Sequence, residues 1–93
     1  MSLEDHPGYA RVFGQDELTF GVGFPLTGRD ESPPPVEEEL QLATHAESLG
    51  YDALWARDVP LYWPKFGDRG QQYEPWPWLS HVAAHTESIA LGT

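Results

Sequence analysis

Residues 46–56 read AESLGYDALWA, and they join the end of an amphipathic helix to a short buried strand. Gly50 is suited to end the helix, because glycine readily adopts the left-handed conformation that follows a helix cap. Two residues later comes the apolar run of residues 53–56, which predicts a strand. The preceding helix has an apolar residue every three or four positions, which predicts one buried face: Val36, Leu40, Ala43, Ala46 and Leu49.

The start of this helix is marked by three consecutive prolines at residues 33–35. The first two are each held out of helical geometry by the proline that follows, whereas Pro35 fits the first helical position. Residues 37–39 are all glutamate, and the helix dipole favours negative charge in the first turn. We therefore predict a helix that begins at Pro35 and stops at Gly50.

Similar elements flank this unit on both sides. Residues 18–23, LTFGVG, predict a buried strand whose two glycines leave room for a group to approach closely. A second helix is predicted from Pro75 or Pro77 to Thr86, and residues 89–91 predict a third strand. The predicted buried side of that helix consists of Trp78, Leu79, Val82, Ala83 and Thr86. Residues 1–17 form a lead-in with a helical turn around residues 9–13.

The alternation of strands and helices predicts an α/β fold with parallel strands and right-handed crossovers. The loops after the first and second strands, residues 24–34 and 57–74, are far longer than the two- or three-residue links before the second and third strands. Long loops at the carboxyl ends of parallel strands are where such proteins bind ligands. Function is therefore expected in these two loops and just after residue 91.

An open doubly wound sheet and a slice of a barrel both fit this βαβαβ order. A complete (β/α)₈ TIM barrel needs about 250 residues, so this chain holds roughly a third of one. A chain that ends on a strand leaves an unpaired edge, which is an aggregation hazard. We expect the N-terminal portion of a barrel, incomplete in these 93 residues.

Composition excludes several classes of protein. The formal charge of −10 would repel phosphate backbones, so nucleic-acid binding is not expected. The chain has no cysteine, which excludes disulfides and thiolate zinc sites. It shows neither a signal peptide nor a membrane-spanning run, so the expectation is a soluble cytoplasmic protein.

Several polar and aromatic residues fall in the predicted functional loops. Arg57 and Asp58 directly follow the second strand, where they could bind a ligand ring or simply form a local ion pair. The aromatic residues in and after the second loop suit the walls of a ligand site, although they could also pack the loop: Tyr62, Trp63, Phe66, Tyr73, Trp76 and Trp78. His81 and His85 have the spacing of a zinc-protease helix, but residue 82 is valine where that motif needs glutamate, so no metal site is expected.

These residues together resemble the bacterial luciferase-like monooxygenase family. The resemblance lies in residues 18–25, LTFGVGFP, in residues 46–55, in Asp58, and in residues 83–93, AAHTESIALGT. Residues 6–13, HPGYARVF, and the pattern in residues 57–76 are similar to one subgroup of luciferase-type oxidoreductases. The resemblance covers almost the whole chain in order, so residues 1–93 are expected to be the N-terminal part of one luciferase-like domain, with 1–17 as its lead-in and 18–93 as its βαβαβ unit.

The resemblance implies a barrel that binds reduced flavin at its carboxyl-end face and reacts it with oxygen or a small organic substrate, usually in a dimer or heterodimer. The positions that it implies on the cofactor side are Phe24, Pro25, Asp58, Gly92 and Thr93. Substrate-loop candidates are Arg57, Tyr62, Trp63, Phe66 and Tyr73. Deazaflavin-dependent relatives commonly carry histidine directly after the strand-end aspartate, whereas this chain has Val59, which favours FMN over deazaflavin.

The resulting expectation is an FMN-dependent monooxygenase, with the 93-residue chain inactive alone. The alternatives are a non-catalytic luciferase-like subunit, a flavin-storage protein or the remnant of a truncated gene. A carbohydrate-binding module built on the aromatic loop is the least favoured, because a parallel unit with a bare edge suits it poorly.

Overall fold

The computed structural model describes residues 2–26, 35–58 and 74–93. After a 3-10 turn at Leu3–Asp5, the described elements are α1 (Pro7–Phe13), β1 (Gly21–Gly23), α2 (Val36–Ser48), β2 (Ala53–Trp55), α3 (Pro75–Ala83) and β3 (Ala90–Gly92). The three strands form one parallel sheet in the order β1-β2-β3. The prediction of a parallel α/β unit is thereby confirmed, while closure into a barrel stays a prediction.

The strands are held in register by a short ladder centred on β2. Gly23 lies opposite Trp55, which in turn lies opposite Gly92, so the three carboxyl ends are level. Pairing continues one residue further, since the Phe24 N–H donates to the Trp55 carbonyl at 2.8 Å and the Ala56 N–H donates to the Gly92 carbonyl at 2.8 Å. The sequence placed the first strand at residues 18–23 and the third at 89–91, whereas pairing with β2 limits them to 21–23 and 90–92.

The core lies between one face of the sheet and helices α2 and α3. Leu54, at the centre of β2, is completely buried, and its register partners Val22 and Leu91 pack against the same cluster. The buried residues of this cluster are Phe24, Ala43, Ala46, Leu54, Ala56, Trp78, Leu79, Val82 and Ile89.

Helix α2 begins one residue later than predicted, because Pro35 has an extended conformation with ψ of 128° and serves as the cap. Its end is as predicted: Gly50 has a φ of +90°. The Gly50 N–H donates to the Glu47 carbonyl at 3.1 Å and the Tyr51 N–H to the Ala46 carbonyl at 3.1 Å. This pair of hydrogen bonds is the Schellman motif, which satisfies carbonyls that the helix leaves open.

The predicted apolar face of α2 is right at its centre and wrong at its ends. Ala43 and Ala46 are buried, but Val36 is 45% exposed and Leu49 is 63% exposed. The thirteen-residue helix is much longer than the three-residue strands it covers, so its ends extend beyond the sheet. The buried stripe instead begins at Glu39, which is 1% exposed.

Helix α3 is shorter than predicted and ends at Ala83. Trp78, Leu79 and Val82 are buried as expected, and Pro75 joins them at the first turn. Ala83 is exposed, contrary to prediction, and Thr86 lies beyond the helix with its hydroxyl donating to the Val82 carbonyl at 2.9 Å. No helix in the described part of the chain is both long and apolar enough to cross a membrane.

The lead-in is more structured than the sequence indicated. The predicted helical turn at residues 9–13 is helix α1, which spans Pro7–Phe13 and is capped by the His6 ring nitrogen Nδ1, an acceptor from the Gly8 N–H at 3.1 Å. The helix lies on the sheet face opposite α2 and α3, where it and the strands line an open apolar pocket of about 210 Å³. Arg11 contacts Asp52 at 3.6 Å, which fixes α1 near the amino ends of the strands.

Candidate functional site

The carboxyl ends of the strands bring several predicted site positions to one edge of the sheet. Phe24 and Pro25 follow β1, Arg57 and Asp58 follow β2 after Ala56, and Gly92 and Thr93 close β3. The two backbone hydrogen bonds from Phe24 and Ala56 fix where these segments leave the sheet. We call this common edge the carboxyl edge; it consists of residues 24–26, 56–58 and 92–93.

Phe24 contributes its backbone, rather than its side chain, to the carboxyl edge. Its ring is buried in the core and meets Trp78 edge-on, with ring centroids 5.1 Å apart and an interplanar angle of 80°. The peptide bond to Pro25 is cis, and Pro25 itself is half-buried. The prediction that both positions face a cofactor is untested by this geometry, but only backbone atoms of Phe24 are near the edge.

The polar positions at this edge face solvent. Arg57, Asp58 and Thr93 are all exposed, so their side chains are accessible to a ligand. A ligand-binding role for Arg57 and Asp58 stays a prediction, and so does a local ion pair between them. The substrate-loop candidates Tyr62, Trp63, Phe66 and Tyr73, together with Val59, lie outside the described residues. The two described tryptophans of the aromatic group differ, since Trp76 is exposed and Trp78 is buried.

The sequence did not single out Trp55, which lies on the sheet face that carries α1 and lines the pocket between them. A Cβ added at Gly21 would lie 2.8 Å from the indole nitrogen, and one added at Gly92 would lie 2.5 Å from the ring carbon Cζ3. The indole therefore spans β1 to β3, and glycine on each side lets it lie close to the sheet. Trp55 is still 41% exposed. The signal in the sequence was the pair of glycines in the first strand, which predicted a close approach.

Gly23, the register partner of Trp55, closes the carboxyl end of β1. Among the described residues, a Cβ added there would have the Trp55 carbonyl oxygen as its nearest neighbour, at 3.9 Å, so this part of the chain leaves the space above Gly23 open. The Trp55 indole, which is 41% exposed, offers a planar apolar surface on the same face of the sheet. Such a surface suits the planar ring of an aromatic ligand.

Glu39 is a second residue that sequence reasoning missed. Its carboxylate accepts the Leu26 N–H at 2.8 Å, which connects the first turn of α2 to the segment that leaves β1. The sequence presented it as one of three similar glutamates at a helix start. Its spacing from Ala43 and Ala46, four and then three residues, was the signal that it shares their buried face.

The opposite, amino-terminal edge of the sheet is held by Glu47. One oxygen of its carboxylate accepts the backbone N–H groups of Glu87, Ser88 and Ile89 at 2.9, 2.9 and 3.0 Å. Burial acts to raise the pKa of Glu47, but these hydrogen bonds and the charge of Arg11 outweigh it, so the pKa lies below its ordinary value. This carboxylate has a structural role, since it joins α2 to the start of β3.

The histidines on α3 are exposed and contact each other. The rings of His81 and His85 have centroids 4.9 Å apart, and Nδ1 of His85 lies 2.9 Å from the His81 carbonyl. Across the ranges that the structure describes, no three histidine, aspartate or glutamate side chains are grouped to hold a metal ion.

The parallel sheet and its helices place the chain among α/β proteins, a class whose ligands commonly bind at the carboxyl ends of the strands. The family model for luciferase-like monooxygenases matches residues 18–93, which is well over half of the chain. The chain therefore belongs to the luciferase-like monooxygenase family, as the resemblance predicted. Comparisons with curated proteins and with solved structures give no significant match.

Proposed function

We propose that this chain forms part of a flavin-dependent monooxygenase that uses reduced FMN and molecular oxygen to oxidise a small organic substrate. The observation that carries the proposal is the family match, which spans all three strands and both helices between them. A barrel completed by further strands, and a dimeric assembly, belong to the same proposal.

The carboxyl edge supports a flavin in this position. The isoalloxazine ring is planar, the Trp55 indole is 41% exposed, and the described residues leave the space above Gly23 open. The exposed Asp58 carboxylate can accept a hydrogen bond from a ring N–H, while the Thr93 hydroxyl can donate or accept one. The choice of FMN over deazaflavin rests on Val59, through the resemblance to the family.

When bound, the reduced flavin would supply the electrons for oxygen activation, while the protein orients it and excludes water. Trp55 would shield one face of the ring from solvent. Arg57, a permanent cation directly after β2, would attract anionic groups of the cofactor or substrate. The described residues form one edge of a three-stranded sheet, so we expect the 93-residue chain to bind flavin weakly and to show no turnover.

A titration of the ¹⁵N-labelled chain with millimolar FMN, followed by amide chemical shifts, tests this proposal. The amides expected to shift belong to Gly23, Phe24, Leu26, Asp58 and Thr93. Riboflavin, which lacks the phosphate, serves as a second ligand that separates binding of the ring from binding of the charge. Shifts confined to the amino-terminal edge, around Gly50 and Asp52, would contradict the proposal.

A further inference from the structure

Glu39 differs sharply from the two glutamates that precede it. Glu37 and Glu38 are exposed, as the first turn of a helix allows, whereas Glu39 is 1% exposed. A carboxylate at the start of α2 would gain the same favourable dipole interaction while facing solvent. Its burial removes it from water at a cost, so the contacts that it makes inside must offset that cost.

The contact of Glu39 reaches outside its own helix. Its Oε2 accepts the N–H of Leu26 at 2.8 Å, across the core-facing side of α2. Leu26 packs against the core cluster and comes two residues after Phe24, whose N–H is bonded to the Trp55 carbonyl. The backbone on either side of Pro25 is therefore fixed, at Phe24 by the sheet and at Leu26 by Glu39.

We propose that Glu39 is a positioning residue, whose buried carboxylate holds the Phe24–Leu26 backbone in the conformation that meets the ligand at the carboxyl edge. This inference rests on the proposed function for the identity of the ligand, but the anchoring of Leu26 is independent of it. Glu39 itself is buried and does not contact the ligand, so its effect passes through the Leu26 backbone.

Three substitutions and one control test the role of Glu39. Glu39→Leu removes the acceptor, Glu39→Gln keeps an acceptor oxygen of the same reach, and Glu39→Asp keeps the charge but retracts it by one methylene. Glu37→Gln is the matched control, because it removes a charge from the same helical turn at an exposed position.

Amide hydrogen exchange measures the anchor directly. In Glu39→Leu the Leu26 amide should exchange at least about tenfold faster than in the wild type, because its acceptor is gone. The Ala56 amide, bonded to the Gly92 carbonyl, is the internal control for global unfolding and should change much less. Glu39→Gln and Glu37→Gln should stay within about threefold of the wild type for Leu26.

Millimolar FMN then measures the effect on the ligand. Glu39→Leu should lose the FMN-induced shifts of Phe24 and Leu26 while it keeps those of Asp58 and Thr93, and Glu39→Gln should retain all four. A general loss of structure would remove all four shifts together, so this pattern separates positioning from stability.

Each result decides the inference. Unchanged Leu26 exchange in Glu39→Leu would overturn it, and if that variant does not fold, unchanged exchange in Glu39→Asp would do the same. Faster Leu26 exchange with unaltered FMN shifts at Phe24 and Leu26 would also overturn the positioning role. Absence of FMN-induced shifts at the carboxyl edge of the wild type would contradict the proposed function and, with it, the role of Glu39 in ligand binding. The hydrogen-exchange data would still show whether Glu39 anchors the Leu26 backbone.

Discussion

The Glu47 carboxylate connects α2 to the segment that leads into β3, since three consecutive backbone N–H groups donate to it. Glu47→Ala removes the acceptor for all three. The Ile89 N–H is partly buried, and leaving it without a partner costs about 1–3 kcal/mol. The N–H groups of Glu87 and Ser88 are exposed and regain water, so each loses only about 0.5–1 kcal/mol.

The expected loss for Glu47→Ala is therefore about 3 kcal/mol of unfolding free energy, a large share of the roughly 5–15 kcal/mol typical of a domain. Glu47→Gln keeps an acceptor oxygen without its charge and should lose about 1 kcal/mol. Glu37→Ala is the control, because Glu37 is an exposed glutamate on the same helix whose loss should cost less than about 1 kcal/mol through the helix dipole.

Urea unfolding followed by far-UV circular dichroism gives these free energies, and the slope with denaturant shows whether the transition keeps its two-state form. The predicted order of destabilisation is Glu47→Ala, then Glu47→Gln, then Glu37→Ala. If Glu47→Ala is no less stable than Glu37→Ala, the three hydrogen bonds do not hold β3 to α2, and the reasoning is refuted.

Four further outcomes follow from the same geometry. The pKa of Glu47 lies below its ordinary value of 4.5 in the folded chain, so its contribution to the free energy of unfolding is present above that pH and is lost as the pH falls below it. The difference in unfolding free energy between wild type and Glu47→Gln, measured in urea, should therefore narrow between pH 5 and pH 3. A widening difference would contradict this. Gly92→Ala, whose Cβ would meet the Trp55 ring at 2.5 Å, should destabilise the chain by about 1–3 kcal/mol and alter tryptophan fluorescence, whereas Gly23→Ala should have little effect on either. Gly50→Ala should cost about 1–2 kcal/mol in thermal unfolding, because alanine is strained at a φ of +90°; unchanged stability would argue against the left-handed cap. FMN should bind this chain with a dissociation constant on the order of millimolar by fluorescence quenching, because an open edge buries less of a ligand than a pocket does, and micromolar binding would refute this.

The order of the elements and the position of the carboxyl edge followed from the sequence. Gly50 and the two-residue link after it are local signals, and each specifies a helix end and a strand start without knowledge of the rest of the chain. The alternation of strands and helices then leaves few arrangements, so parallel pairing could be predicted. The ends of the strands could not be predicted, because hydrogen bonding to β2 sets them, whereas the apolar residues of the sequence continue beyond the hydrogen-bonded segments.

The features that the sequence does not predict depend on contacts between residues far apart in the chain. Periodicity identifies the apolar stripe of α2 but not how far the sheet extends beneath it, which is why Val36 and Leu49 were wrongly expected to be buried. Glu39 and Trp55 each depend on a partner more than ten residues away, Leu26 for the first and Gly21 or Gly92 for the second. Spacing places Glu39 on the buried face and the first-strand glycines indicate a close approach, but neither pattern identifies the distant partner.

The most direct test of the central claim is to locate the flavin ring on the chain. Intermolecular nuclear Overhauser effects from the two ring methyl groups of FMN, recorded at millimolar ligand, report which edge of the sheet the ring contacts. Contacts to Gly23, Trp55 and Thr93 are predicted, since these residues lie at the carboxyl ends of the three strands. Contacts to Phe20 and Gly50 at the amino-terminal edge instead would contradict the account.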